Sequence, residues 1–125
     1  MSAKQPAQVD ELFAAAFNAG DAEALVALYE PDAPLVAHTG DVISDTPSRR
    51  AYVEGFVAMA PKIDLRTERI IENGDLALVY SPWTVTGTEP DGTTVEMAGD
   101  SVVVLRRQPD GTWLFAIDNP GWKLG

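Results

Sequence analysis

There is no cysteine among the 125 residues and only one histidine, His38. The first absence excludes disulfides, thiolate metal sites and cysteine nucleophiles together. With the second, it removes zinc and facial-triad iron sites, which need two or three imidazole or thiolate ligands, so no metal is expected. Positive charge is also scarce. Nine Lys and Arg stand against nineteen Asp and Glu, a formal charge of −10, and only Lys4, Arg49 and Arg50 precede Lys62. Binding nucleic acid rests on clustered Lys and Arg, so nucleic acid is disfavoured as a partner. Anionic membranes and phosphorylated metabolites are repelled at long range for the same reason. The glycines never fall three together after a strand, as a phosphate cradle requires, so no nucleotide cofactor is expected. Ser101 has no glycine-flanked elbow around it. No stretch approaches the ~18 consecutive apolar residues of a membrane span, and no apolar run follows Met1-Ser2-Ala3-Lys4, so a cytoplasmic location is the expectation. A small, neutral, largely apolar molecule is the partner class these absences leave standing.

What is present describes an ordinary globular domain: 46% hydrophobic and 22% charged residues, read as one domain over 1–125 with no linker and no low-complexity segment. Val9, Leu12, Phe13, Ala16 and Phe17 recur at helical spacing until Gly20. Asp21 can cap a second helix carrying Leu25, Leu28 and Tyr29, closed by Pro31. Leu35-Val36-Ala37 and Val42-Ile43 read as a small hairpin. Thr46-Pro47-Ser48 opens a third helix, with Tyr52, Phe56 and Met59 on one stripe, ending before Pro61. Arg49 and Arg50 sit in its first turn, against the helix dipole, and are expected to be solvated unless carboxylates such as Asp41 or Asp45 reach them. From Ile63 the period becomes two. Asn73-Gly74, Pro90-Asp91-Gly92 and Pro109-Asp110-Gly111 cut the second half into strands near 63–72, 75–88, 93–107 and 112–118, an antiparallel meander. Gly87 and Gly99, inside strands, are expected to mark bends. Helices first and a curved sheet second is an α+β pattern.

Polar groups in apolar surroundings are the candidates for chemistry. By alternation Asp100 shares a face with Ala98, Val102 and Val104; if that face lies under the helices, its carboxyl is desolvated and can act as a neutral acid, and otherwise it lies in water or pairs with Arg106, Arg49 or Arg50. Asp118 shares a face with Leu114 and Ala116 and either lines a cavity or belongs to the turn Asp118-Asn119-Pro120-Gly121. Trp113, Phe115 and Ile117 fall on the opposite face, which would be exposed in a monomer and points to a homodimer packed through the sheet. His38 ends a strand and could titrate near neutrality in a cavity or stay in solvent. Phe13, Phe17, Tyr52, Phe56, Tyr80, Trp83 and Trp122 serve as core or line a cavity between helix and curved sheet. With Met59, Val102 and Ala116 they make up the expected ligand-lining set.

Phe17-Asn18-Ala19-Gly20-Asp21, Leu25-Val26-Ala27-Leu28-Tyr29, Asp32-Ala33, Gly99-Asp100-Ser101, Pro109-Asp110-Gly111-Thr112-Trp113 and Ala116-Ile117-Asp118-Asn119-Pro120 together resemble the nuclear transport factor 2-like superfamily, which includes ketosteroid isomerase and the SnoaL-like polyketide cyclases. The resemblance covers nearly the whole chain. It implies a cone-shaped, cystatin-like α+β fold, three N-terminal helices packed on a curved, mainly antiparallel sheet. The isomerase pattern of aspartate base, oxyanion-holding tyrosine and protonated aspartate is a worked case of pKa tuning. Its protonated aspartate falls on Asp100. Its tyrosines fall on Phe13 and near Phe56, without hydroxyls, and its base on Ala37 or, one residue on, His38. One of the three catalytic groups is retained, so steroid isomerisation by that constellation is not supported. The expectation is a cofactor-free enzyme of isomerase or cyclase type acting on a small apolar carbonyl compound, with His38 as base, Asp100 as acid and Asp118, from its place on the last strand, as a second carboxylate. The alternative is a non-catalytic module that binds a hydrophobic ligand or dimerises.

Overall fold

A computed structural model describes residues 2–123. Among them three helices and seven strands follow in the order α1 (Pro6–Ala19), α2 (Ala22–Val26), β1 (Leu35–Val36), β2 (Val42–Ile43), α3 (Thr46–Val57), β3 (Lys62–Leu65), β4 (Arg69–Asn73), β5 (Leu76–Thr88), β6 (Thr94–Arg107) and β7 (Trp113–Asn119). No helix among the described residues is long and apolar enough to cross a membrane.

Local chemistry sets the helix ends. Pro6 occupies the first turn of α1, and Gly20 ends it at φ 70, a left-handed conformation that costs a glycine little. Asp21 and Asp45 cap α2 and α3 by accepting from the backbone N–H groups of Ala24 and Ser48. The second helix is shorter than its apolar spacing suggests. Leu28 and Glu30 are taken by the sheet: the carbonyl of Leu28 accepts from Phe115 N–H at 2.8 Å, and Glu30 N–H donates to Phe115 at 3.0 Å. Tyr29 is thereby carried to the edge of β7.

The sheet is curved, open and mixed, ordered β2-β1-β7-β6-β5-β3, with β4 also pairing with β5. All pairs are antiparallel except β1 with β7. Two one-residue irregularities shape it, neither at the glycines expected to bend it. Along β3 the register runs Leu65 opposite Trp83, but β4 resumes with Arg69 opposite Tyr80, so one extra residue lies between them. In β7, Phe115 faces Leu105 while Ile117 faces Val104, so Ala116 is a bulge. Gly99 instead makes room: a Cβ there would stand 2.6 Å from the indole nitrogen of Trp83 and 2.5 Å from the carbonyl oxygen of Pro120.

The helices cover one face of the sheet. Ala77, Val79, Ser81, Trp83 and Val85 of β5 and Ser101, Val103 and Leu105 of β6 point inward and are buried. Asn18 ties the end of α1 to β3, its side chain accepting from Ile63 N–H at 2.7 Å. Arg49, expected in solvent, is 1% exposed. Its guanidinium donates to three backbone carbonyls, those of Ala33 at 2.8 Å and of Glu30 and Pro31 at 3.0 Å. Backbone oxygens, not carboxylates, receive it. Arg50 pairs with Glu23 of α2.

Candidate functional site

Between α1, α3 and the inner face of the sheet lies a cavity of about 100 Å³. Aromatic rings form a continuous course along it. Phe115 meets Phe13 edge-on at 5.9 Å, Phe13 stacks on Phe17 at 5.8 Å, and Phe17 leads to Phe56 at 6.5 Å. Phe56 stacks on Trp122 at 5.8 Å, and Trp122 meets Trp83 edge-on at 5.0 Å. Leu25, Leu35, Val53, Ile63, Leu65, Val85 and Val103 complete the apolar wall.

Polar side chains in the lining include Asp10, Tyr29, Tyr52, Ser101 and Asp118. Asp118 reaches the cavity through the Ala116 bulge. Strict alternation would set it opposite Phe115, but the extra residue puts Trp113, Phe115 and Asp118 on the same inner side and leaves Ile117 outside. The Tyr29 hydroxyl donates to Oδ2 of Asp118 at 2.5 Å. Burial, more than anything, raises the Asp118 carboxyl to about 6; Asp10 adds to the rise, while the Tyr29 hydrogen bond and Arg49 oppose it. Burial, with the neighbouring Asp118 charge, drives the Tyr29 hydroxyl well above its usual value, so it stays a proton donor. The Arg49 guanidinium lies 5.1 Å from the centre of the Tyr29 ring and closes this group from behind.

Asp10, on α1, accepts from Thr67 and Ser81 hydroxyls, each at 2.6 Å and both on Oδ2. Thr67 lies in the irregular segment between β3 and β4. Ser101 donates to the Ser81 carbonyl at 2.7 Å, which places the three hydroxyls and Asp10 in one network. No motif in the sequence marks Asp10, Tyr29 or Ser101 as a site residue. The apolar spacing around Tyr29 gave it to a helix stripe.

The expected site residues separate into two groups. Phe13, Phe17, Tyr52, Phe56, Trp83, Trp122 and Asp118 line the cavity. Asp100 does not: it lies on the outer face, 64% of its side chain exposed, with Lys123 Nζ 3.3 Å from its carboxylate. The reason is that β6 is apolar on both faces, and the helices cover the one carrying Gly99, Ser101, Val103 and Leu105. Val102 and Tyr80 share the outer face with it. Ala116 borders a separate surface hollow beside Glu30 and Arg106. Met59 sits beyond the cavity, its Cβ 3.3 Å from where a Cβ on Gly87 would stand. His38 is exposed at the rim, stacked on Tyr52 at 5.9 Å, with its Nδ1 3.0 Å from the Tyr52 hydroxyl. His38 and Asp100 therefore do not meet in the cavity as an acid–base pair. Among the described residues no group of His, Cys, Asp and Glu is arranged to hold a metal ion.

The SnoaL-like domain family matches residues 9–115, from the first helical stripe to the bulge. The chain belongs to this family. No curated protein matches it. Solved structures share its fold at low identity. A conserved protein from Planctomyces limnophilus superposes with a TM-score of 0.85 at 18% identity, over 94% of this chain and 92% of that one. A ketosteroid isomerase-like protein from Erwinia carotovora atroseptica gives 0.83 at 18% identity, over 95% and 94%. An NTF2-like protein with a cystatin-like fold from Novosphingobium aromaticivorans gives 0.78 at 18% identity, over 94% and 79%. The chain thus has the cystatin-like, NTF2-like architecture, with three helices on a curved sheet.

Proposed function

We propose that this SnoaL-like protein binds a small, mostly apolar carbonyl compound in the cavity and moves a proton on it, without a cofactor, using Asp118. The carrying observation is the buried Tyr29–Asp118 pair in a mostly apolar cavity. Among the described residues the pair engages only Oδ2 of Asp118. The ionised carboxylate, through Oδ1, takes a proton from the carbon beside the substrate carbonyl. An enolate forms, and the same carboxyl returns the proton to that carbon or to a conjugated one. As Asp118 becomes protonated it holds the Tyr29 hydroxyl less strongly, and that hydroxyl is then the donor closest to the developing oxyanion. A carboxyl with a pKa near the working pH suits both halves of the exchange.

Solvent deuterium exchange into a panel of enolisable ketones, followed by NMR, tests this reading. Exchange that falls about a hundredfold or more in Asp118→Asn, with a pH profile turning on near 6, supports it. Exchange equal in wild type and variant rejects it.

One observation favours a non-catalytic binding module instead. Three hydrogen-bond donors near the cavity are already committed: the Trp83 indole to Pro120, the Trp122 indole to Val36 and the Ser101 hydroxyl to Ser81. Saturable binding without exchange selects that reading.

We also propose a homodimer through the outer sheet face in the cytoplasm. Cross-strand register aligns Ile71, Leu78, Val104 and Ile117 in one row, with Tyr80 and Val102 in the next. That apolar band supports the dimer better than Trp113 and Phe115, which are buried under the helices.

A further inference from the structure

Asp10 is 8% exposed, yet nothing cationic accompanies it. Among the described residues it forms no ion pair with Lys or Arg. Both of its hydrogen bonds fall on Oδ2. Oδ1 has no partner among the described residues and is not sealed off by protein, and Asp10 is one of the residues that line the cavity. No Lys, Arg or His lines that cavity. Arg49, the one buried Lys or Arg among the described residues, donates to three carbonyls and lies over the Tyr29 ring.

The local hydrogen-bond accounts have one direction. The hydroxyl protons of Thr67 and Ser81 go to Asp10, and that of Ser101 goes to a carbonyl. What this end of the cavity offers a ligand is acceptors alone. A ligand carbonyl, carboxylate or phosphate placed there meets lone pairs with lone pairs. A ligand hydroxyl supplies one hydrogen bond but leaves the buried carboxylate without a counter-charge, which is costly in a low-dielectric site. A protonated amine supplies both. The neighbouring rings of Phe13 and Phe17 line the same cavity and shelter the hydrocarbon part.

We infer that the ligand of this cavity is a small apolar compound bearing a protonated amine, its N–H groups bound to Oδ1 of Asp10 and its hydrocarbon part against the aromatic course. The inference rests on the reading of the cavity as a small-molecule site and narrows its substrate class. In the catalytic form of that reading, the substrate carries its amine at the Asp10 end and its carbonyl at the Asp118 end. The ammonium then offsets the negative charge that develops on the enolate.

Three probes of nearly equal shape test it on the wild-type protein: benzylamine, benzyl alcohol and benzoate, titrated calorimetrically at neutral pH with tryptophan fluorescence alongside. Benzylamine is expected to bind about tenfold more tightly than benzyl alcohol, with benzoate weakest. In Asp10→Asn the amine is expected to lose that advantage while the alcohol keeps its affinity. The alcohol binding as tightly as the amine overturns the inference and leaves the cavity reading intact. Failure of all three to bind overturns both. An amine preference that survives in folded Asp10→Asn overturns the assignment to Asp10. The wild-type comparison decides the matter even if that variant does not fold.

Discussion

The hydroxyl of Tyr29 and the carboxylate of Asp118 meet at 2.5 Å although 89 residues separate them in the chain. The contact depends on two departures from regular structure. The segment after α2 leaves its helix to pair with Phe115, and β7 carries one extra residue at Ala116.

Asp118 makes stability depend on pH in the sense opposite to a salt-bridged aspartate. Its folded value of about 6 lies above the ordinary 3.8, so between those values the native state holds a proton that the unfolded chain has released. Its stabilising contribution is present at low pH and is lost as pH rises through that window. Going from about pH 4 to about pH 7, Asp118→Asn is expected to gain on wild type by on the order of 3 kcal/mol. Urea unfolding of both proteins across that range measures it; parallel curves reject the assignment.

Asp100→Asn is the matching control. The carboxylate is exposed and pairs only with Lys123. Both stability and cavity binding should stay within about 0.5 kcal/mol of wild type. A large loss of ligand affinity in this variant would return Asp100 to the site.

Arg49 holds the turn between α2 and β1 by its three carbonyls. Arg49→Ala is expected to lose on the order of 3 kcal/mol, since those buried carbonyls lose their donors. Arg49→Lys should recover little, because an ammonium cannot reproduce the planar fork. Denaturant midpoints of the two variants check this, and full rescue by lysine contradicts it.

Gly99→Ala puts a methyl group where the Trp83 ring and the Pro120 carbonyl already stand. The Trp83 indole must give up its 2.8 Å bond to Pro120 or the strands must part. A loss of about 1 to 3 kcal/mol is expected, with a shift in tryptophan emission. Unchanged emission and stability would mean the strands yield freely there.

The proposed dimer can be tested on its own. Ile71→Asp with Ile117→Asp puts two charges in the apolar row while touching no cavity residue. Sedimentation is expected to show a dimer for wild type and a monomer for the double variant. A monomeric wild type at micromolar concentration rejects the dimer.

Much of the fold was legible because its signals are local. Gly20 and Asp21 define the corner between the first two helices by backbone conformation and capping. Gly74, Gly92 and Gly111 all adopt positive φ where Asn-Gly and Pro-Asp-Gly mark turns, and these punctuate the sheet. Phe13, Phe17, Tyr52 and Phe56 of the cavity followed from spacing on α1 and α3. The acids did not. Asp100 sits on a strand with apolar residues on both faces, where alternation shows that two faces exist but not which one the helices cover.

The sequence by itself determined the class of molecule: a cysteine-free, acidic chain with helices preceding a turn-punctuated meander, poor in the groups that bind metals, nucleotides or nucleic acid. Tertiary structure decided which acids face inward. One extra residue at Ala116 turns Asp118 toward Tyr29, and another near Thr67 accompanies the hydroxyl contact to Asp10. A strand presents alternate residues to alternate faces, so a single inserted residue reverses everything beyond it. That reversal is set by hydrogen bonding to neighbouring strands distant in the chain, and no local pattern of residues carries it.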